Sequence, residues 1–169
     1  MGLLLKNLGL NVGYYALTVV AGPAGVLALE RSVSGEPPPN FWLRVAGGAV
    51  ILVSVVVQVS CIITLQRGGA GTPSPLIPPV QLVTQGLYAW VRNPLNLGEV
   101  ALLLGLAVWF ASWGLVCYAL AAWLCFHWFV VAYEEPRHRQ RFGAGYNGYA
   151  ARVRRWLPQQ PATLRLPPN

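Results

Sequence analysis

Along most of this chain the apolar residues neither alternate nor recur on one helical face; they run in long blocks with short polar punctuation. A transmembrane helix needs roughly 20 consecutive, mostly apolar residues to cross the hydrocarbon core, and the blocks have that length. The first runs from Leu8 to Leu29, between Lys6 and the pair Glu30-Arg31, and is too long for the apolar part of a cleaved signal peptide. The second runs from Phe41 to Leu65. Its interior is rich in valine and isoleucine, a strand signature in water, but length and the need to satisfy every backbone group internally decide for a helix in lipid. From Leu97 to Tyr133 the chain is apolar almost throughout, too long for one crossing, and Ser112-Trp113-Gly114 is the natural turn. The pattern predicts a helical hairpin there, with spans near 97–111 and 114–133. The expected fold is an all-α integral membrane protein with four transmembrane helices.

A different pattern follows the last block. Phe142, Tyr146, Tyr149, Val153 and Trp156 recur at steps of four, three, four and three, while Arg152, Arg154 and Arg155 fall elsewhere on the wheel. That periodicity predicts a cytosolic amphipathic C-terminal helix lying in the membrane interface. Gly143, Gly145 and Gly148 weaken it by about 1 kcal/mol each relative to alanine, so packing must hold it. The expected organisation is two N-terminal transmembrane helices over 1–65, a core over 66–160 and a mobile proline-rich tail over 161–169.

Composition sharpens the membrane reading. Of 169 residues, 55% are hydrophobic and only 10% charged, against about 25% charged in soluble domains. Twelve Lys and Arg stand against five acids, all glutamate. In a soluble protein that excess would suggest nucleic acid; in an apolar chain it points to the anionic inner face of a membrane, with no nucleic-acid partner. Lys6, Arg67, Arg92, Arg137, Arg139, Arg141, Arg152, Arg154, Arg155 and Arg165 fall on one side of the four-span topology, and only Arg31 and Arg44 on the other. Positive residues near spans favour the cytoplasm, so both termini and the 66–96 loop are expected there. Cys61, Cys117 and Cys125 lie in apolar runs without ligand spacing; they read as packing residues, and no metal site is expected.

Some segments are too polar to be mere connectors. The loop from Gln66 to Asn96 exceeds the length at which loops are usually functional or disordered. Its end, Tyr88 through Glu99, sets two aromatics, Arg92, Asn93, Asn96 and Glu99 at the mouth of a span. Pro94 suits the first turn of a helix, leaving backbone donors free for a ligand. Tyr88 and Trp90 read equally as an interfacial aromatic belt, and Arg92 as a snorkelling anchor. Glu99 lies a turn inside the apolar run, where a carboxyl is by default functional or paired. Glu134-Glu135 close the fourth span against the helix dipole, so a cation should compensate them: Arg137, Arg139, Arg141, or a ligand. His127 shares a helical face with Glu134, and reads either as a packed polar residue or as a group near a substrate.

Gly86-Leu87-Tyr88, Arg92-Asn93-Pro94 and Gly98, followed by Glu134-Glu135, Phe142-Gly143, Tyr146, Tyr149, Arg155-Trp156 and Pro158, resemble the isoprenylcysteine carboxyl methyltransferase family, within a wider membrane group that includes phospholipid methyltransferases. The resemblance covers about residues 65–160, and the Gly71-Thr72-Pro73 lead-in is similar to bacterial members. It implies a plasma-membrane methyltransferase with a cytosolic active site that uses S-adenosyl-L-methionine. By that resemblance Val80, Gln81, Leu82, Val83, Tyr88, Asn93, Pro94, Leu95, Asn96 and Glu134 contact the methyl donor. Arg92 and Glu135 are candidates beside them on charge, Arg92 for the donor's carboxylate. His127 is the candidate catalytic group. The implied acceptor is lipophilic and reached from the bilayer. Asn93 and Asn96 stand where the family usually has His and Tyr, and Val130 where prenylcysteine enzymes carry an acceptor-binding Arg. The C-terminal layout also resembles NADPH-dependent sterol reductases, and a non-catalytic binding or scaffold protein descended from methyltransferases is the other alternative.

Overall fold

The computed structural model describes residues 13–38, 40–69 and 81–160. Val80, the 70–79 lead-in, Lys6 and the 161–169 tail lie outside the described residues. Five helical segments follow one another: α1 (Gly13–Ser34), α2 (Phe41–Gly69), α3 (Pro94–Phe110), α4 (Trp113–Phe129) and α5 (Glu135–Arg152). A 3-10 turn, Gly86–Ala89, precedes α3, and a π-helical turn, Val130–Glu134, joins α4 to α5. No strand occurs among the described residues. Among the described residues three helical runs are long and apolar enough to cross a membrane, Gly13–Ser34, Phe41–Gly68 and the continuous Trp113–Arg152, and α3 is a shorter apolar helix. The protein is an all-α membrane protein.

Sequence explains the helix ends. Asn40 caps α2, its Oδ1 accepting the N–H groups of Trp42 (3.0 Å) and Leu43 (3.2 Å). Pro94 opens α3, where its missing N–H costs nothing. The hairpin turns where expected. Ala111 adopts φ 51°, and the Ser112 hydroxyl takes the Leu115 N–H at 3.0 Å to cap α4. Both π-turns, Ala16–Ala21 and Val130–Glu134, come two residues before a proline, Pro23 and Pro136. A proline removes one rung of the helical ladder, and widening the preceding turn lets the helix continue past it.

The chain forms two compact units, and α2, α3 and α4 contribute residues to both. The first contains residues up to 56 together with 98–125. Within it α2 and α3 approach at backbone distance. A methyl group on Gly47 would sit 2.6 Å from the Trp109 nitrogen and 2.7 Å from the Gly105 oxygen, and one on Gly105 would sit 3.1 Å from the Ile51 nitrogen. In lipid, where apolar burial gives helices no advantage, such close packing through small residues holds them together. α1 does not stop at Glu30 as the sequence suggested. It continues to Ser34 because the Glu30 carboxylate accepts hydrogen bonds from the Ser112 hydroxyl and, at 3.3 Å, the Gly114 N–H, placing a negative charge at the positive end of α4. Glu99, 3% exposed, takes the Thr18 hydroxyl at 3.1 Å. Cys61 in the second unit is buried, but Cys117 and Cys125 in this one are exposed, which corrects their reading as packing residues.

The second unit holds residues 57–97 and those from 126 onward. Its core is Tyr146, Tyr149 and Val153, with Leu82, Phe142 and Ala150 packed against them. The aromatic stripe read from the sequence therefore exists, but not as one helix over 142–158. α5 begins at Glu135, breaks at Gly143 (φ 49°, ψ −124°), and ends at Arg152; Val153 is extended. Only glycine takes that positive φ without strain. The remaining residues to Gln160 form a non-helical strap.

Candidate functional site

The strap lies along the chain just before α3. The Arg92 N–H donates to the Arg154 carbonyl at 2.9 Å, the Gln159 N–H to the Trp90 carbonyl at 3.0 Å, and the Asn93 side-chain amide to the Arg155 carbonyl at 3.1 Å. The Trp156 indole N–H donates to His127 Nδ1 at 3.0 Å. Tyr149 donates its hydroxyl to the Tyr88 carbonyl at 2.7 Å. These bonds bring Tyr88, Arg92, Asn93 and His127 together with the strap in the unit that also holds Glu135, although Tyr88 and Glu135 lie 47 positions apart in the chain.

At its centre is Glu135, 5% exposed. Arg155 grips it with a two-pronged fork, Nε to Oε1 at 2.6 Å and Nη2 to Oε2 at 3.0 Å. Arg92 Nη1 reaches Oε1 at 3.1 Å, and Arg139 Nη2 reaches Oε2 at 3.8 Å. Burial alone would raise the Glu135 carboxyl, but the Arg155 hydrogen bonds and the charges of Arg92, Arg155 and Arg139 outweigh it and hold the group below the usual carboxylate range. Glu135 does not face solvent. α5 continues past it, so Glu135 occupies the start of a helix, and the strap closes over it.

Glu134 differs in every respect. It is the first residue beyond the span expected over 114–133, and among the described residues it has neither an ion pair nor a hydrogen bond. Burial, with the Glu135 charge beside it, raises its carboxyl to about 7. The π-turn alters its register with His127, so the seven-residue spacing no longer implies a common helical face. A second atom is also unmatched. Arg92 uses Nη1 for Glu135 and, at 3.5 Å, for the Tyr146 hydroxyl, while its Nε is buried with no partner. A buried guanidinium N–H without an acceptor is costly.

Other expected contacts fall in the same unit. Gln81 is exposed, Leu82 half-buried, Val83 and Pro94 buried, and Leu95 and Asn96 half-buried. Glu99 belongs to the first unit with Thr18. Of the three arginines expected to compensate the acids, Arg139 does reach Glu135, at 3.8 Å, but sequence reasoning overlooked Arg155 as its closest partner; the Arg155-Trp156 motif was the available signal. It also overlooked His138, whose ring lies 5.8 Å from Phe142 and 5.3 Å from Tyr146, and which burial lowers below the ordinary histidine value.

Apolar helices together with a cluster of arginines, carboxylates and tyrosines define a helical membrane protein with a candidate site built from that cluster. The sequence pattern of the phospholipid methyltransferase family matches residues 42–145, well over half of the chain. The protein belongs to that family of membrane-embedded methyltransferases, the wider group that the Gly86 to Pro158 motifs resemble. No curated protein matches it.

Proposed function

We propose that the protein transfers a methyl group from S-adenosyl-L-methionine to a lipophilic acceptor reached from the bilayer. The observation that carries this reading is the pair of unmatched groups, the Glu134 carboxylate and the Arg92 Nε–H, in one unit. A free amino-acid end presents an ammonium and a carboxylate, and these residues complement it: Glu134 for the ammonium, Arg92 for the carboxylate. Each charge-assisted bond is worth roughly 1.5–3 kcal/mol. The donor, when bound, supplies an electrophilic methyl on a sulfonium. The chain's own contribution is to hold that end, to exclude water and to orient the acceptor; aromatics such as Tyr88 and Tyr146 suit a cationic or adenine ring.

Asn93 gives its amide N–H to Arg155, leaving its carbonyl oxygen for the donor. Gln81, Leu82, Val83, Leu95 and Asn96 complete the proposed wall. His127 remains the candidate near the acceptor. Its Nδ1 accepts from Trp156, so the neutral ring carries its proton on Nε2. In a four-span arrangement with both termini cytosolic, the site lies at the cytosolic face of the bacterial plasma membrane, where the basic residues of α5 favour anionic lipid.

Titration of the detergent-solubilised protein with S-adenosylmethionine, with NADPH as the comparison, tests the donor. Incubation of membranes with labelled donor, followed by partition of label into lipid and protein, tests the transfer. Binding of NADPH alone would overturn the reading.

A further inference from the structure

The division of arginines around Glu135 is unequal. One carboxylate faces three guanidinium groups, so the cluster carries surplus positive charge. Arg155 occupies both oxygens at 2.6 and 3.0 Å; Arg92 touches one oxygen through Nη1 alone, and its Nε stays buried and unbonded. Arg139, 58% exposed and 3.8 Å away, is a weak partner. A carboxylate accepts bidentate arginine readily, and the fork geometry is the stronger arrangement. Without Arg155, the nearest guanidinium able to supply a fork is that of Arg92.

We infer that Arg155 is a positioning residue: by saturating Glu135 it prevents Arg92 from pairing fully with that carboxylate, and so keeps the Arg92 Nε edge available for the carboxylate of the donor. The inference rests on the donor-binding reading above. The strap gives it a structural basis, because the Arg155 carbonyl takes the Asn93 amide and the neighbouring Arg154 carbonyl takes the Arg92 N–H, so the backbones of both arginines are held in register. Arg155 need not touch the donor for its loss to abolish binding.

The test is a rescue. Arg155→Gln should weaken S-adenosylmethionine binding tenfold or more, as Arg92 turns to Glu135. Adding Glu135→Gln removes the competing carboxylate, and the double variant should bind within about threefold of wild type. A merely structural role would make the double variant as weak as the single one or weaker. Arg155→Lys, which keeps the charge without the fork, should fall between wild type and Arg155→Gln, and supplies the comparison if the Gln variant does not fold. Nitrogen–proton NMR of labelled arginine side chains reads the partition without any donor. The Arg92 Nε–H, assigned by loss of its signal in Arg92→Lys, should shift and become protected from exchange in Arg155→Gln or, if that variant does not fold, partly so in Arg155→Lys. An unchanged Arg92 signal, or a double variant with no recovery, overturns the inference. An Arg92 shift in the Arg155 variant with no donor response in wild type would instead leave the partition standing and overturn the donor reading.

Discussion

Replacing Glu134 by Gln separates function from stability, because the two should move in opposite directions. The carboxyl titrates near 7 in the folded protein, raised by burial and by the charge of Glu135, against 4.5 as its ordinary value. A raised carboxyl contributes stability that is present at low pH and lost as pH climbs from the unfolded value through the folded one. By pH 7.5 the loss amounts to about 3 kcal/mol. Glu134→Gln escapes that loss, so above pH 7 the variant should unfold at a higher temperature than wild type, with the gap closing toward pH 5.

Donor affinity should behave conversely. Only the ionised carboxylate pairs with an ammonium, and its fraction rises about eightfold between pH 6 and pH 7.5 for a group titrating near 7. An α-ammonium titrating near 7.7–8.0 loses about a quarter to two fifths of its charge over that range, so wild-type affinity for S-adenosylmethionine should rise about five- to sixfold. Glu134→Gln should show a flat profile and bind about tenfold or more weakly at pH 7.5. Glu135→Gln leaves the Glu134 carboxyl in place and should retain a pH dependence, moved to lower pH because the Glu135 charge no longer raises that carboxyl. Calorimetric titration at several pH values and thermal unfolding in the same detergent supply both readings. A wild-type affinity that does not change with pH, or a Glu134→Gln variant that loses stability and keeps its affinity, would refute the reasoning.

Three further outcomes are expected. Gly47→Leu should destabilise by about 1–3 kcal/mol or more, since its side chain would drive the α2 and α3 backbones apart, and thermal unfolding in detergent measures it. Glu99→Gln should unfold within about 1 kcal/mol of wild type because an amide oxygen can still accept from the Tyr14 and Thr18 hydroxyls, whereas Glu99→Leu leaves the Tyr14 hydroxyl without that acceptor, at a cost of about 1–3 kcal/mol, while Thr18 keeps its bond to the Tyr14 carbonyl; equal losses would show that the hydrogen bonds to Glu99 are irrelevant. In a background without Cys61, Cys117 and Cys125, cysteines at positions 36 and 160 should label from opposite sides of the membrane, and labelling from one side would exclude the four-span topology.

The apolar helices were legible because a bilayer sets a length for a crossing and a block of apolar residues records it, although α3, with 17 residues, falls short of that length. Their ends were less so. Glu30-Arg31 look like a stop signal, yet α1 runs on because the Glu30 carboxylate finds Ser112 and Gly114 more than 80 residues later. A charge near a span end reads as an end unless its partner is known, and no periodicity names a partner on another helix. The same applies to Pro136. It reads as the close of the fourth span, but a π-turn absorbs its missing rung and the helix continues.

At the site the aromatic stripe was legible and its helix was not. Tyr146, Tyr149 and Val153 share a face because the core needs them, and a glycine at 143 with a positive φ lets Phe142 reach that core from a differently directed segment. What the sequence could not supply was the physical reason that the two glutamates differ. Adjacent acids look equivalent in sequence, and a helix-dipole argument treats them alike. What distinguishes them is an arginine twenty residues on, delivered by a strap whose hydrogen bonds to residues 90–93 have no sequence signature of their own. Once Arg155 takes Glu135, that residue is spent on structure, and the unpaired charge falls to its neighbour. A functional carboxylate is then recognised less by its own position than by which other carboxylate has already been neutralised.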